Sequence, residues 1–376
     1  MDRKKSFVGG AAILGICGLI CKVIGAFFRI PLANILGTQG IADYQIAYPL
    51  YAALLVISSS GLPTAISKLV SAKVATGDYR NAHYIFQVAF RVLLVIGIGT
   101  TAIMAVGSKL IATIQGSPES YLSIVAIAPS LFFVSVLSSY RGYFQGLQMM
   151  TPTALSQLIE QLGKLGMGLW FASQWVKISP AMGAAGSLVG ITLSELLALL
   201  FLVVLYNTRK REIKYFIRTS PRVRKFERKG RVVRSLFVVA IPVTLGACIM
   251  PLVALIDNAM VINILKSIGY SQTMAKEKFA ILTGYVAPII NMPAVISVAL
   301  QMSLVPAISG AVAAKRKKHA RHTATMGVKL SILIGMPCAV GLFILGGPII
   351  MLLYKGRFSG ELEMLTTAAQ IMQIMS

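Results

Sequence analysis

The chain has 376 residues, 56% of them hydrophobic and only 13% charged, with a mean hydropathy of +0.77. No water-soluble protein of this length is composed this way, and apolar runs of about twenty residues recur from end to end, as in a polytopic α-helical membrane protein. The formal charge of +24 raises nucleic-acid binding, but the cations sit in the polar stretches between apolar runs, where topology and anionic membrane lipid at the cytoplasmic face account for them; no nucleic-acid partner is expected.

Predicted span 1 covers about 9–36. The basic start, Met1 to Lys5, has no clear cleavage site behind it and reads as the lead into a retained span, not a signal peptide. Inside the span lie Lys22 and Arg29, each costing ~2.5–3.5 kcal/mol at the centre of a membrane helix. A seven-residue separation is almost two turns, so both share one face, about 10 Å apart. No acid in that helix neutralises them. Such a pair faces a wet cavity and binds an anion, or it snorkels to an interface; Arg29, close to Pro31 and Gly37, is the better candidate for snorkelling.

Span 2 runs over about 44–71, with Asp43 at its start read as structural. Spans 3 and 4 cover about 86–113 and about 121–147. Span 4 closes on Arg141-Gly142-Tyr143-Phe144-Gln145-Gly146, a helix-end anchor or a head-group contact. Span 5, about 154–176, places Gln157, Glu160, Gln161 and Lys164 on one face. Glu160 and Lys164 have the order of a helical ion pair, which either glues span 5 to a neighbour or lines the same cavity as span 1. Span 6, about 183–206, holds Glu195. A hydrophilic basic stretch follows over 207–234.

Span 7, about 235–264, has Asp257 as its only acid and is expected to break at Pro242 and Pro251. Span 8, about 279–312, carries Pro288, Pro293 and Pro306, and span 9 covers about 328–354. The last run, Leu362 to Ser376, is too short to cross, so the sequence is expected to end within a tenth span. Lone carboxylates inside a membrane are cation or proton sites by default. That makes Asp257, Glu160 and Glu195 candidates for a coupling ion, and Asp257 also a possible counter-charge to Lys22 or Arg29.

Alternate polar segments, counted from the N-terminus, hold the bulk of the Lys and Arg, which places the N-terminus in the cytoplasm of a multi-pass cell-membrane protein. Ile66-Ser67-Lys68-Leu69-Val70-Ser71-Ala72-Lys73 and Ile308-Ser309-Gly310-Ala311-Val312-Ala313-Ala314-Lys315 share Ile, Ser, Val, Ala and Lys at matching places. Six spans separate them, which implies a parallel repeat. The expected organisation is a first six-helix lobe over 1–206, a basic cytoplasmic linker over 207–234, and a second lobe, incomplete in this sequence, over 235–376. The protein is expected to act as a monomer.

Cys17, Cys21, Cys248 and Cys338 all fall in apolar spans and read as small buried hydrophobes; no metal site or cofactor is expected. His83, His319 and His322 are placed in loops. No phosphate-cradling loop or nucleophile elbow appears, so an enzyme is not expected and energy must come from a gradient, the membrane potential or downhill flux.

The stretch from Arg141 to Lys164, with Gly25-Ala26-Phe27-Phe28-Arg29-Ile30-Pro31, Gly61 to Lys68, and Ile241-Pro242 with Ile256-Asp257, resembles the stage V sporulation protein B and polysaccharide-exporter group of the multidrug/oligosaccharidyl-lipid/polysaccharide flippase superfamily. More distantly it is similar to lipid II flippases. The resemblance covers essentially the whole chain and implies two six-helix lobes plus an extra pair, alternating access, and a lipid-linked saccharide as cargo. It matches Lys22 and Arg29 to a cationic first span. Lipid II flippases carry an arginine in span 8 shortly before the proline matching Pro293; here the run is Pro288-Ile289-Ile290-Asn291, which favours another polyprenyl-diphosphate glycan. The alternative is a cation-coupled drug or metabolite exporter, in which the acids dominate. A glycan-transferring enzyme is disfavoured, because the outer loops are short and offer only Glu119, Glu277 and Glu361.

Overall fold

Helix α1 runs from Asp2 to Ser59, joining what the sequence divides into span 1 and most of span 2. It turns at Gly37, whose backbone (φ 68°, ψ −176°) is open only to a residue without Cβ. Helix α2 (Gly61–Ala75) completes span 2. Asp78 then caps α3 (Tyr79–Val106) by accepting from the Asn81 amide, and α4 (Ser108–Ile114) completes span 3. Helix α5 is Tyr121–Gly146. Span 5 is built of α6 (Thr151–Gly163), a π-helical turn over Lys164–Gly168, and α7 (Leu169–Trp175). Helix α8 (Pro180–Thr208) opens with Ser179 accepting from the Met182 amide. Then come α9 (Lys210–Thr219) and α10 (Lys229–Ser267). Span 8 begins with α11 (Gln272–Ala280), a second π-helical turn over Ile281–Val286, and α12 (Ala287–Ile290). Helices α13 (Lys317–Leu353) and α14 (Leu362–Met375) follow.

This computed structural model describes residues 2–220, 226–294, 304, 308, 316–354 and 362–375. Among them there is no strand, and six helices are long and apolar enough to cross a membrane. The protein is therefore an all-α polytopic membrane protein.

Four sequence expectations change. Pro242 and Pro251 do not break span 7; both lie inside the continuous α10, where a neighbouring helix can tolerate the lost backbone bonds. The basic linker is partly helical, since α9 lies within it and α10 starts at Lys229. His83 belongs to α3, and His319 and His322 to α13, not to loops; His83 Nδ1 lies 3.3 Å from the Tyr143 hydroxyl. Span 8 is interrupted first by a π turn, ahead of Pro288. Pro306 and most of the Ile308–Lys315 copy of the repeat lie outside the described residues.

The chain alternates between two ends of the bundle. The near end holds the start of α1, the α2–α3 turn, the end of α5 and the end of α8; the far end holds Gly37, the α4–α5 turn and the α10–α11 turn. A core of Leu62, Ala65, Ile66, Val70, Ile85, Phe86 and Tyr143 packs near the first end and takes in Val232, Leu236 and Ala240 of α10. A second core centres on Phe28, Leu32, Leu36, Ile41, Tyr44 and Ile127, and takes in Phe279, Tyr285, Ile350 and Tyr354. Helix α10 thus packs along α1 and α2 rather than standing apart from the first half.

Candidate functional site

Two adjoining chambers lie along the first half of α1. One, of about 470 Å³, is lined by Lys22, Arg29, Tyr48, Lys164, Pro288 and Asn291 among others. The other, of about 590 Å³, reaches toward the near end and is lined by Leu14, Gly15, Arg141, Gln157 and Glu160 among others. Cys21, Lys22 and Gln161 border both. The walls are small where α1 is concerned: Gly15, Gly18, Gly25 and Ala26 leave the space that the cations and amides fill.

Lys22 and Arg29 face the same chamber, as the seven-residue spacing requires. Arg141, Gln157, Glu160 and Lys164 line the same pair of chambers from α5, α6 and the π turn. The expected Glu160–Lys164 pair is replaced by other partners. Glu160 Oε2 accepts from Arg141 Nη2 at 2.9 Å, and Arg141 Nε donates to Ser156 Oγ at 2.9 Å. Lys164 turns instead to α1: its Nζ is 3.4 Å from the Tyr48 hydroxyl and lies over the Phe28 and Tyr48 rings at 5.2 and 4.9 Å. The π turn begins at Lys164, so the helix register changes there. Among the described residues, Lys22, Arg29 and Lys164 have no carboxylate within 4.0 Å. The Gln157 side-chain oxygen is buried with no hydrogen-bond donor among the described residues.

Glu195 is not in either chamber wall. It is buried in α8, with the Tyr51 hydroxyl 3.4 Å from Oε1 and, among the described residues, no partner on Oε2. Asp257 is exposed on α10, outside both chambers, and makes no ion pair with Lys22 or Arg29. Sequence reasoning missed Tyr48, although Tyr44, Tyr48 and Tyr51 mark one stripe of α1 at helical spacing and their rings adjoin at 5.4 and 5.8 Å. It also missed Lys276, which reads as a loop cation yet is 2% exposed.

That lysine belongs to a seal over the far end. Lys276 Nζ is 2.8 Å from Asp43 Oδ1 and 3.4 Å from Glu119 Oε2, while Ser117 and Ser120 hydroxyls donate to the same Asp43 oxygen at 3.3 and 2.6 Å. Gln39 Nε2 donates to Glu277 Oε1 at 3.0 Å, Asn34 Nδ2 to the Leu353 carbonyl at 2.9 Å, and Asn258 Nδ2 to the Gln45 carbonyl at 2.8 Å. At the far end these bonds tie α1 and the α4–α5 turn to α10, α11 and α13.

This fold is shared with solved transporters. An inward-facing multidrug resistance MATE family transporter of the MOP superfamily superposes with a TM-score of 0.66 at 12% identity, over 94% of this chain and 76% of that one. A MOP superfamily transporter from Pyrococcus furiosus superposes with a TM-score of 0.60 at 13% identity, over 97% of this chain and 77% of that one. Fold and cleft together define a multi-pass membrane protein with the MOP-superfamily transporter architecture. Within that class, the chain belongs to the polysaccharide biosynthesis protein family, which matches residues 7–312. It is 26% identical over 354 residues to stage V sporulation protein B of Bacillus subtilis (strain 168), covering 93% of this chain and 67% of that protein. It is 26% identical over 363 residues to the lipid II flippase MurJ of the same organism, covering 90% and 64%. The chain spans about two thirds of the length of these relatives.

Proposed function

We propose that this protein is an alternating-access flippase for a polyprenyl-diphosphate-linked saccharide, with its near end in the cytoplasm. One observation carries the reading: Lys22, Arg29 and Lys164 converge on one chamber with no carboxylate partner among the described residues. Lys22 is exposed to the chamber and Arg29 and Lys164 are half-buried on its wall; cations that face a wet cavity inside a membrane bundle favour an anionic ligand, and a diphosphate offers charge-assisted contacts to both lysine and arginine. The chamber volumes fall in the range of small-molecule sites. Arg141, clamped by Glu160, and the free Gln157 oxygen are placed to meet the sugar. Asn291 stands on the span 8 wall, where an amide hydrogen-bonds without adding charge. Kinship with a lipid II flippase supports a lipid-linked cargo, and the cations clustered at the near end support the orientation.

Reconstitution in liposomes containing a polyprenyl-diphosphate disaccharide tests this. The Lys22→Ala/Arg29→Ala variant should flip the lipid at the protein-free rate while inserting normally; flipping at the wild-type rate would end the reading. The cation-coupled alternative draws on Glu195, whose buried, half-partnered carboxyl is placed to bind a proton or cation. Glu195→Gln should then uncouple transport from an imposed gradient, while Asp257→Asn, outside both chambers, leaves it unchanged.

A further inference from the structure

At the near end, away from the two chambers, a third cavity of about 270 Å³ opens between α9 and the ends of the membrane helices. It is lined by Val74 of α2, Tyr79 of α3, Tyr143 of α5, Leu147 and Met149 of the following turn, and Ile213, Phe216 and Ile217 of α9, with Arg209 and Glu212 at its rim. Its interior is apolar: the Tyr143 hydroxyl is already engaged by His83, and Tyr79 stacks on Phe216 at 5.2 Å. Helix α9 is sharply two-sided. Ile213 is buried against the α2–α3 core with Ile217 packed beside it, while Arg211 and Arg218 are exposed on the opposite face and Lys210 and Lys214 are exposed along its flank. Tyr215, also on α9, is a large exposed aromatic.

Position decides what this slot holds. Helix α2 ends at Ala75, α3 starts at Tyr79, α5 ends at Gly146 and α8 ends at Thr208. Four spanning helices stop at one level, so the slot lies at the depth where hydrocarbon gives way to head groups. There an apolar cleft is adjacent to acyl chains and a basic amphipathic helix is adjacent to phosphates. Glu212 is the only acid in α9, and Arg209, which faces it at 4.0 Å, keeps further donors for an anion.

We propose that this slot binds one anionic phospholipid, with acyl chain against Ile213, Ile217, Leu147 and Tyr143 and phosphate held by Arg209 and the exposed cations of α9. The lipid would fasten α9, the segment joining α8 to α10, to the ends of α2, α3 and α5. The proposal is independent of the diphosphate chamber.

Native mass spectrometry of the full chain from nanodiscs of phosphatidylglycerol and phosphatidylcholine reads the site directly. The wild-type protein should retain a phosphatidylglycerol adduct through detergent exchange and no phosphatidylcholine adduct. Val74→Phe and Ile217→Trp fill the slot without changing charge; Arg209→Gln/Lys210→Gln/Arg211→Gln removes charge without changing the slot. Each should cut adduct occupancy at least fivefold. Loss in the charge variant alone overturns the slot, and retention in all variants overturns the site. Equal competition by a soluble acidic peptide also overturns it, since that makes the patch a protein-docking surface. Should the filled variants fail to insert, a photoreactive phenylalanine at Ile217 replaces them: cross-linking to phosphatidylglycerol over phosphatidylcholine supports the proposal, and equal or absent cross-linking refutes it.

Discussion

Arg141 and Glu160 are about one-fifth exposed or less, and each holds the other in place on the chamber wall. Removing one partner of such a pair leaves a charge partly stripped of water, while removing both does not. Arg141→Ala should therefore lower stability by about 2 kcal/mol, and Arg141→Ala/Glu160→Gln by less than the sum of the single changes. Thermal unfolding of the four proteins in one detergent measures the difference; strict additivity would mean that the pair is not coupled. Lys276 is more deeply set, with Asp43 at 2.8 Å and both side chains at most 3% exposed. Lys276→Met strands Asp43 with only two serine hydroxyls, a loss of about 3–5 kcal/mol for a buried pair. Part of it should return in Lys276→Met/Asp43→Asn, because an amide needs no counter-charge. The same unfolding assay checks this, and no recovery in the double variant would mean that the charge of Asp43 is not the cause.

At the scale of elements, the π turn over Lys164–Gly168 depends on α8 coming very close. A Cβ on Gly190 would stand 2.5 Å from the Gly168 backbone, whereas one on Gly166 would meet nothing within 4 Å. Gly190→Ala should thus cost about 1–3 kcal/mol by forcing helix and turn apart, and Gly166→Ala should be close to neutral. Since Lys164 begins that turn, Gly190→Ala should also weaken substrate binding more than its stability loss explains; equal effects of the two substitutions would remove the close-packing account. None of this could be read from the sequence. Periodicity identified span 5 and its polar face, but a π turn inserts one residue of register that no apolar pattern marks, so Lys164 was assigned to Glu160 when it turns to Tyr48. Likewise Lys276 reads as a loop cation because its acids, Asp43 and Glu119, lie far off in sequence. What was legible came from cost: cations inside an apolar run are expensive enough that Lys22 and Arg29 require a wet cavity or an interface, and both border the same chamber. Proline gave the opposite lesson. Pro242 and Pro251 carry a local penalty, yet α10 stays continuous because α1 and α2 support it.

At the scale of the molecule, the polar seal of the far end joins the first half of the chain to α10, α11 and α13 through side-chain and backbone bonds spread over α1 and the α4–α5 turn. Apart from the buried Lys276–Asp43 pair, these are hydrogen bonds that each contribute only about 0.5–1.5 kcal/mol, which suits a closure that opens again under the proposed alternating access. A covalent link across the seal should then stop transport without touching the cleft. In a background with Cys17, Cys21, Cys248 and Cys338 replaced by Ser, Gln39→Cys/Glu277→Cys puts thiols where Gln39 Nε2 and Glu277 Oε1 now meet at 3.0 Å. Bridging them with a short reducible cross-linker should abolish flipping, and reduction should restore it. Diphosphate lipid should still bind to the bridged protein, because the chambers around Lys22 lie on the other side of the seal. Transport that continued at full rate through the bridged protein would show that the far end does not have to part for the cargo to cross.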